Sequence, residues 1–436
     1  MALLESFPRP RTLAPGVDLL CLPERRFKRV LLHLHFDRPL DARRPARSLL
    51  CQILDHGTER HSTRQELACA EEDLYGVTVA QNSDRHAGMQ RTTLRVSWVG
   101  EEFLPEGARV TEPVLELARE RFEAPLRAAS GAPFPAETLE REREQLLRQI
   151  RTFPEHRSAY AREQFLQAMC AGEPYGLPPW GTAEEVVALT GEDLEAARVD
   201  LLDHARVTAV AVGPVDPERL AGALADWLGS AGLRGGAARE VVPLPRLVEP
   251  GAMRERRETQ PVDQAKFHYG WRAPRPVTGP QVETQALMND VVGGMHGRLF
   301  RIVREERSLA YGIYSSSSTF VGMWTVAAGI DANSFDEVLR TVDEQVADVA
   351  AGNLTDAEIE VARVGLLHDL DSLGDSASRL ARSLDREHLL GLYRSPAERA
   401  AQLRKLGAAD VAAAAGRLRP DLVHLVAAAE TAAIVG

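Results

Sequence analysis

Cysteine is scarce in this 436-residue chain, and the four present, Cys21, Cys51, Cys69 and Cys170, form no Cys-x-x-Cys pair and no cluster with histidine. That spacing excludes a zinc ribbon and a disulfide framework and fits a reducing compartment. No stretch approaches the roughly 18 apolar residues of a bilayer-spanning helix, and the opening MALLESFPRPRTLAPG has an early Glu and prolines but no apolar h-region. Together these point to a cytoplasmic protein with no membrane partner. Positive charge is outweighed: 52 Lys and Arg against 63 Asp and Glu leave a formal net charge of -11, so nucleic acid is not an expected partner. A strand-GxxxxGK phosphate cradle is also missing.

What is present is an ordinary globular composition, 44% apolar and 26% charged, in a chain too long for one usual core. The two halves share landmarks. Gly57 lies 18 residues before Tyr75, and Gly293 lies 18 residues before Tyr311. LTGEDLEAARVDLLDHARVTAVAVG from Leu189 and LGAADVAAAAGRLRPDLVHLVAAAE from Leu406 are both a helix followed by an apolar strand, 217 residues apart. Offsets near half the chain imply a duplicated domain, since a solenoid would repeat every few tens of residues. The expected division is an N-terminal domain over 1–232, a Pro-rich and charged linker over 233–255, and a C-terminal domain over 256–436.

Within the first half, LLCLPERRF, RVLLHLHFD, VTVAQNSD and QRTTLRVSWV alternate like strands. Ser62 and Thr63, with Gln65 and Glu66 three residues on, start a helix that ends near Gly76, and a charged helical segment over 137–170 breaks before Pro154. The second half repeats the plan: AKFHYGWRA, LAYGIYSSSS and MWTVAAGID as strands, QVETQALMNDVV as a helix, then three or four more helices. This is an α+β pattern: two homologous domains, each a mostly antiparallel sheet with helices layered on one face.

Three segments carry the chemistry. VVGGMHGRLFRIVREERSLAYGIY, residues 291–314, is a glycine-rich turn leading to a helix with Arg304, and Tyr311 follows seven residues later. EREREQLLRQI begins at Glu140 on a long helix, and Gly57-Thr58 is preceded by SLLCQ, residues 48–52. In this order, over nearly the whole chain, these segments resemble the pitrilysin/insulinase superfamily of zinc peptidases. That superfamily carries an inverted H-x-x-E-H helix nine residues ahead of a Gly-Thr. The motif works because residues four apart share a helix face, so two His can bind one zinc while the Glu acts as general base.

Aligned on Gly57-Thr58, the two His positions hold Ser48 and Gln52, and the Glu position holds Cys51; the family's distal Glu falls on Gln149, and its Asn-Ala on Ala80-Gln81. A thiol at Cys51 alone does not make a catalytic zinc site, which needs three protein ligands, and no His partner for a nucleophilic Cys51 is identifiable. The resemblance therefore implies a non-catalytic member with no metal of its own, similar in role to the alpha subunit of mitochondrial processing peptidase. It would bind unfolded peptide, pair as a dimer with a zinc-bearing homologous peptidase subunit, and offer Arg304 and Tyr311 to that partner's site as oxyanion and backbone contacts.

Other readings stand beside this one. Arg304 is otherwise a solvated charge paired with Glu305 or Glu306, and Tyr311 a core aromatic, as suggested by Tyr75 in the matching place. Gly293, Gly294 and Gly297 fit a tight helix-helix turn. His56-Gly57-Thr58-Glu59-Arg60-His61 offers a rebuilt metal site of an independent hydrolase, although five-residue spacing separates the two His on a helix. His33 and His35 share a strand face at a spacing that some zinc sites use. A scaffold that has lost peptidase chemistry altogether is the remaining alternative.

Overall fold

The computed structural model describes residues 4–231, 239, 248–276 and 278–429. Its strands are β1 (Arg11–Ala14), β2 (Val17–Pro23), β3 (Arg29–Pro39), β4 (Thr78–His86), β5 (Met89–Val99), β6 (Arg206–Gly213), β7 (Arg254–Thr259), β8 (Ala265–Arg272), β9 (Ala310–Ser318), β10 (Met323–Ile330) and β11 (Arg419–Ala427). Helices of the first half are α1 (Arg44–Ile53), α2 (Arg64–Asp73), α3 (Thr111–Glu123), α4 (Ala136–Thr152), α5 (Arg157–Met169), α6 (Ala183–Ala188), α7 (Gly191–His204) and α8 (Pro217–Ala231). Those of the second are α9 (Gly279–Gly293), α10 (Phe335–Ala350), α11 (Asp356–Asp371), α12 (Ala377–Leu390), α13 (Pro396–Leu403) and α14 (Ala408–Ala415). Among the described residues no helix is long and apolar enough to cross a membrane.

The strands form a six-stranded sheet, β1-β2-β6-β3-β5-β4, and a five-stranded sheet, β7-β11-β8-β10-β9. Without β1 the two orders coincide strand for strand. In each, the strand that ends the half pairs parallel with the first strand (β6 with β2, β11 with β7), and every other pairing is antiparallel. This is the duplicated plan, mostly antiparallel. Five α-helices follow β10, where the sequence suggested three or four. Most of the expected linker lies outside the described residues, and its last two positions, Arg254 and Glu255, already belong to β7.

Strand alternation decides the cores. In β3, Val30, Leu32, Leu34 and Phe36 are fully buried in the first core, while His33 and His35 point to the opposite face. In β8, Phe267, Tyr269 and Trp271 enter the second core, and His268, Gly270 and Arg272 face away. Thr63 caps α2 by accepting from the Glu66 amide, and α4 gives way at Phe153–Glu155 to a short 3-10 turn around Pro154 before α5 begins.

Helices layer on one face of each sheet, as expected, and the second face is covered by a helix from the opposite half. From the second half, α12 places Leu380, Ala381 and Leu384 against Leu20, Val210 and Val212 of the first sheet. From the first half, α5 places Phe165 and Met169 against β8 and β11 of the second sheet, alongside Met323 and Leu422. Gly270 makes that approach possible, since a Cβ there would stand 2.6 Å from the Phe165 ring and 2.5 Å from the Met169 sulfur. Buried ion pairs pin both exchanges: Arg91 of β5 holds Asp385 of α12 at 2.5 Å, and Arg272 of β8 holds Glu173, just after α5, at 2.5 Å.

Candidate functional site

Ser48, Cys51 and Gln52 lie on α1 and Gln149 on α4, two helices that pack together on the first sheet. The N-terminal turns of α1 are anchored by Arg47, whose guanidinium is fully buried and bonds the Pro39 carbonyl, Asp41, Gln90 and Asp200 at 3.0–3.2 Å. Nothing near Arg47 in sequence announces this, because Asp200 comes from α7.

None of the four positions is arranged as a ligand. Ser48 Oγ donates to the Pro179 carbonyl at 2.8 Å, and the buried Cys51 thiol donates to the Arg47 carbonyl at 3.3 Å. Burial, reinforced by the negative charges of Asp55 and Asp84, pushes that thiol far above its ordinary range, so it carries no thiolate at neutral pH. Gln52 is half-buried, and its Oε1 has no hydrogen-bond partner among the described residues. Gln149 is exposed and lines a 210 Å³ apolar cleft with Leu146, Ile150, Phe153 and Trp180. Gln81 turns onto α1, donating to the Cys51 carbonyl at 2.9 Å and to Asp55 at 2.7 Å. One thiol locked in the protonated form, a hydroxyl and two neutral amides do not fit a zinc ion.

Nor do the other histidines converge. His56 Nε2 meets Glu142 at 2.6 Å and Arg64 at 2.8 Å, and its Nδ1 meets Arg141 at 2.6 Å. His61 Nδ1 goes instead to Glu120 at 3.1 Å. Two guanidinium groups around His56, and different carboxylates for the two rings, describe an ion-pair network. Burial pushes His33 down to about 4 and holds His35 well below its ordinary value; His35 Nδ1 is engaged by Thr93 Oγ1 at 3.0 Å. Among the described residues no group of three or more His, Cys, Asp or Glu could hold a metal ion.

The Arg304 segment is different in kind. Gly293 ends α9, where a Cβ would stand 2.5 Å from Ser315 Cβ of β9, and a Cβ on Gly297 would reach the Asp290 carbonyl at 2.8 Å. Gly293 thus lets the end of α9 sit hard against the edge of the second sheet, and Gly297 lets the turn fold back on α9. A π-helical turn, Phe300–Glu306, follows and packs on β9. Arg304 is exposed there, its guanidinium 4.6 Å from the centre of the Phe300 ring. Glu306 is taken by Arg301 at 2.6 Å, and Arg304 has no ion pair among the described residues.

Tyr311 sits where the β9–β10 register slips: Ala310 faces Ile330 and Gly312 faces Gly329, leaving Tyr311 as the extra residue of a bulge. It is 75% exposed, which excludes the core-aromatic alternative, and Tyr314 beyond it is 59% exposed. Tyr75 is no structural counterpart, since it precedes β4 in a left-handed conformation with φ 59°.

A family model described as the peptidase M16 inactive domain matches residues 188–366. The probable inactive metalloprotease YmfF of Bacillus subtilis (strain 168) is 24% identical over 339 residues, covering 78% of either chain. A conserved protein from Enterococcus faecalis V583 has a similar fold over 96% of this chain and 98% of that one, with TM-score 0.85 and 22% identity. The periplasmic protease PqqL of Escherichia coli matches 98% of this chain but only 46% of its own, with TM-score 0.71 and 16% identity.

Proposed function

We propose that this chain, which belongs to the peptidase M16, insulinase-like superfamily, is a non-catalytic subunit that binds peptide and completes the active site of a zinc-bearing homologue in trans. The observation that carries the reading is the contrast between its two candidate sites. Ser48 and Cys51 are bonded to backbone carbonyls and Gln149 lines an apolar cleft, whereas Arg304 and Tyr311 are both exposed, with Arg304 free of any ion pair among the described residues. A guanidinium and a phenol are both hydrogen-bond donors, suited to a peptide carbonyl and to the negative charge that builds on it during acyl transfer. The partner's metal site would supply the hydrolysis itself. PqqL, about twice the length that this chain matches, supports a working unit made of two such chains.

The test is co-purification with a zinc-bearing homologue, zinc analysis of the chain alone and of the complex, and cleavage of an unfolded peptide. The expected result is a zinc-free, inert chain, an active complex, and a loss of kcat of about a hundredfold in complexes carrying R304A or Y311F. Unchanged cleavage by both variants would leave a scaffold role, and stoichiometric zinc on the isolated chain would overturn the reading.

A further inference from the structure

The helix exchange between the halves covers histidines. Under α5, His268 of β8 and His424 of β11 are direct cross-strand partners on the outer face of the second sheet, 6% and 0% exposed. The His268 ring stacks on Phe165 of α5 with centres 5.4 Å apart, and its Nδ1 has no hydrogen-bond partner among the described residues. The charged groups that face it are His424, Arg162 of α5 and Lys266 of β8, all of which oppose a positive charge there, and Phe165 has no charge to offer. Burial, followed by these groups, pushes His268 down to about 3, so it is neutral at pH 7.

His424 is less isolated. Its Nε2 lies 3.6 Å from Glu258 of β7, a carboxylate already drawn on by Tyr160 of α5 at 2.7 Å, by Gln260 at 3.0 Å and by Arg256 of β7 at 3.6 Å. Burial, then Arg256, outweighs Glu258 and pushes His424 down to about 4. At the α12 contact His33, His35, His86 and His388 are likewise held below their ordinary value, but Asp18, Asp37, Asp84 and Asp385 stand among them beside Arg91, Arg95, Arg206 and Arg382. The α5 contact, where His268 has no carboxylate to receive its charge, is therefore the one a proton loosens first. Its apolar part is small, Phe165, Leu166, Met169 and Cys170 against Val321, Met323 and Leu422, and it is separate from both main cores. Arg272, bonded to Glu173 at 2.5 Å and to the Met169 carbonyl at 2.7 Å, helps to keep it closed at neutral pH.

We propose that α5 is an acid-released clasp: protonation of His268, followed by His424, lifts the helix from the second sheet while both cores stay folded. A histidine uncovered by the opening takes up its proton near pH 6.5, whereas the covered His268 does so only near 3. The closed form is therefore fully favoured above pH 6.5 and gives way as pH falls from there towards 3. Between pH 7 and pH 5 the opening constant should rise roughly twentyfold on account of His268 alone.

Cys170 reports the opening, since it is 1% exposed at the end of α5 with its Sγ 3.6 Å from Met323 Sδ of β10. Cys51, buried on α1, reports loss of the first core, and the exposed Cys69 corrects for the pH dependence of the reagent. The unaltered full-length chain is labelled with 4,4′-dithiodipyridine at pH 7 and at pH 5, and each site is followed by peptide mass spectrometry. The rate at Cys170 relative to Cys69 should rise at least about twentyfold, with Cys51 still protected. In H268F the rise should be smaller by about that factor, and H268Q serves if H268F does not fold. An unchanged Cys170 rate, or Cys51 opening in step with Cys170, overturns the clasp. So does a rise that is undiminished in a folded variant at position 268.

Discussion

Removing either partner of the Arg91 triad should destabilise the protein by unequal amounts. Arg91 donates from Nε and Nη2 to the two oxygens of Asp37, both at 2.7 Å, and from Nη1 to Asp385 at 2.5 Å. The side chains are 5%, 2% and 9% exposed, so water does little to screen them. R91M strands two buried carboxylates at once, which should cost about 3–5 kcal/mol. D385N keeps the bidentate Arg91–Asp37 pair and a neutral acceptor, so the loss should be about 1–3 kcal/mol. The double variant R91M/D385N should be more stable than R91M, because one stranded charge has been neutralised. Urea titration read by tryptophan fluorescence suits the measurement, since Trp98 and Trp324 are fully buried in the two separate cores. A D385N loss equal to or larger than that of R91M, or a double variant weaker than R91M, would refute this account of what ties α12 to the first sheet.

Three further outcomes can be checked with the same preparation. G270A places a methyl group against Phe165 and Met169, so α5 must shift; a fall of about 1–3 kcal/mol is expected in urea titration. Burial depresses His268 to about 3 from 6.5, so the unfolded chain binds the proton first: stability is whole above pH 6.5 and falls as pH drops towards 3. About 2 kcal/mol should be lost on this account between pH 7 and pH 5, and H268F should remove that share of the slope. In native labelling with a thiol reagent the exposed Cys69 should react well before the buried Cys51 and Cys170; rapid modification of Cys51 would contradict its packing in α1.

Strands and helices were legible where a local pattern carries the decision. Thr63 with Glu66 caps α2 as the spacing says, Pro154 interrupts α4 and α5, and the alternation in β3 and β8 marks which side chains enter each core. The residue types at Ser48, Cys51, Gln52 and Gln149, a hydroxyl, a thiol and two neutral amides, were equally legible, since they are a matter of identity along two helices. The fate of His56 was not legible, because Glu142 and Arg141 reach it across 86 and 85 residues. The helix exchange was hidden for a related reason. A Leu-His-Leu-His strand reads as one buried and one wet face, and only α12, from more than 300 residues away, makes the second face dry.

The sequence by itself determined the duplicated α+β plan, because periodicity and capping act within a few residues. Only the tertiary structure decided that Arg304 and Tyr311 stand in solvent and that His56 is spent on an ion-pair network. Exposure and charge balance are sums over every neighbour in space, and most of those neighbours are distant in the chain.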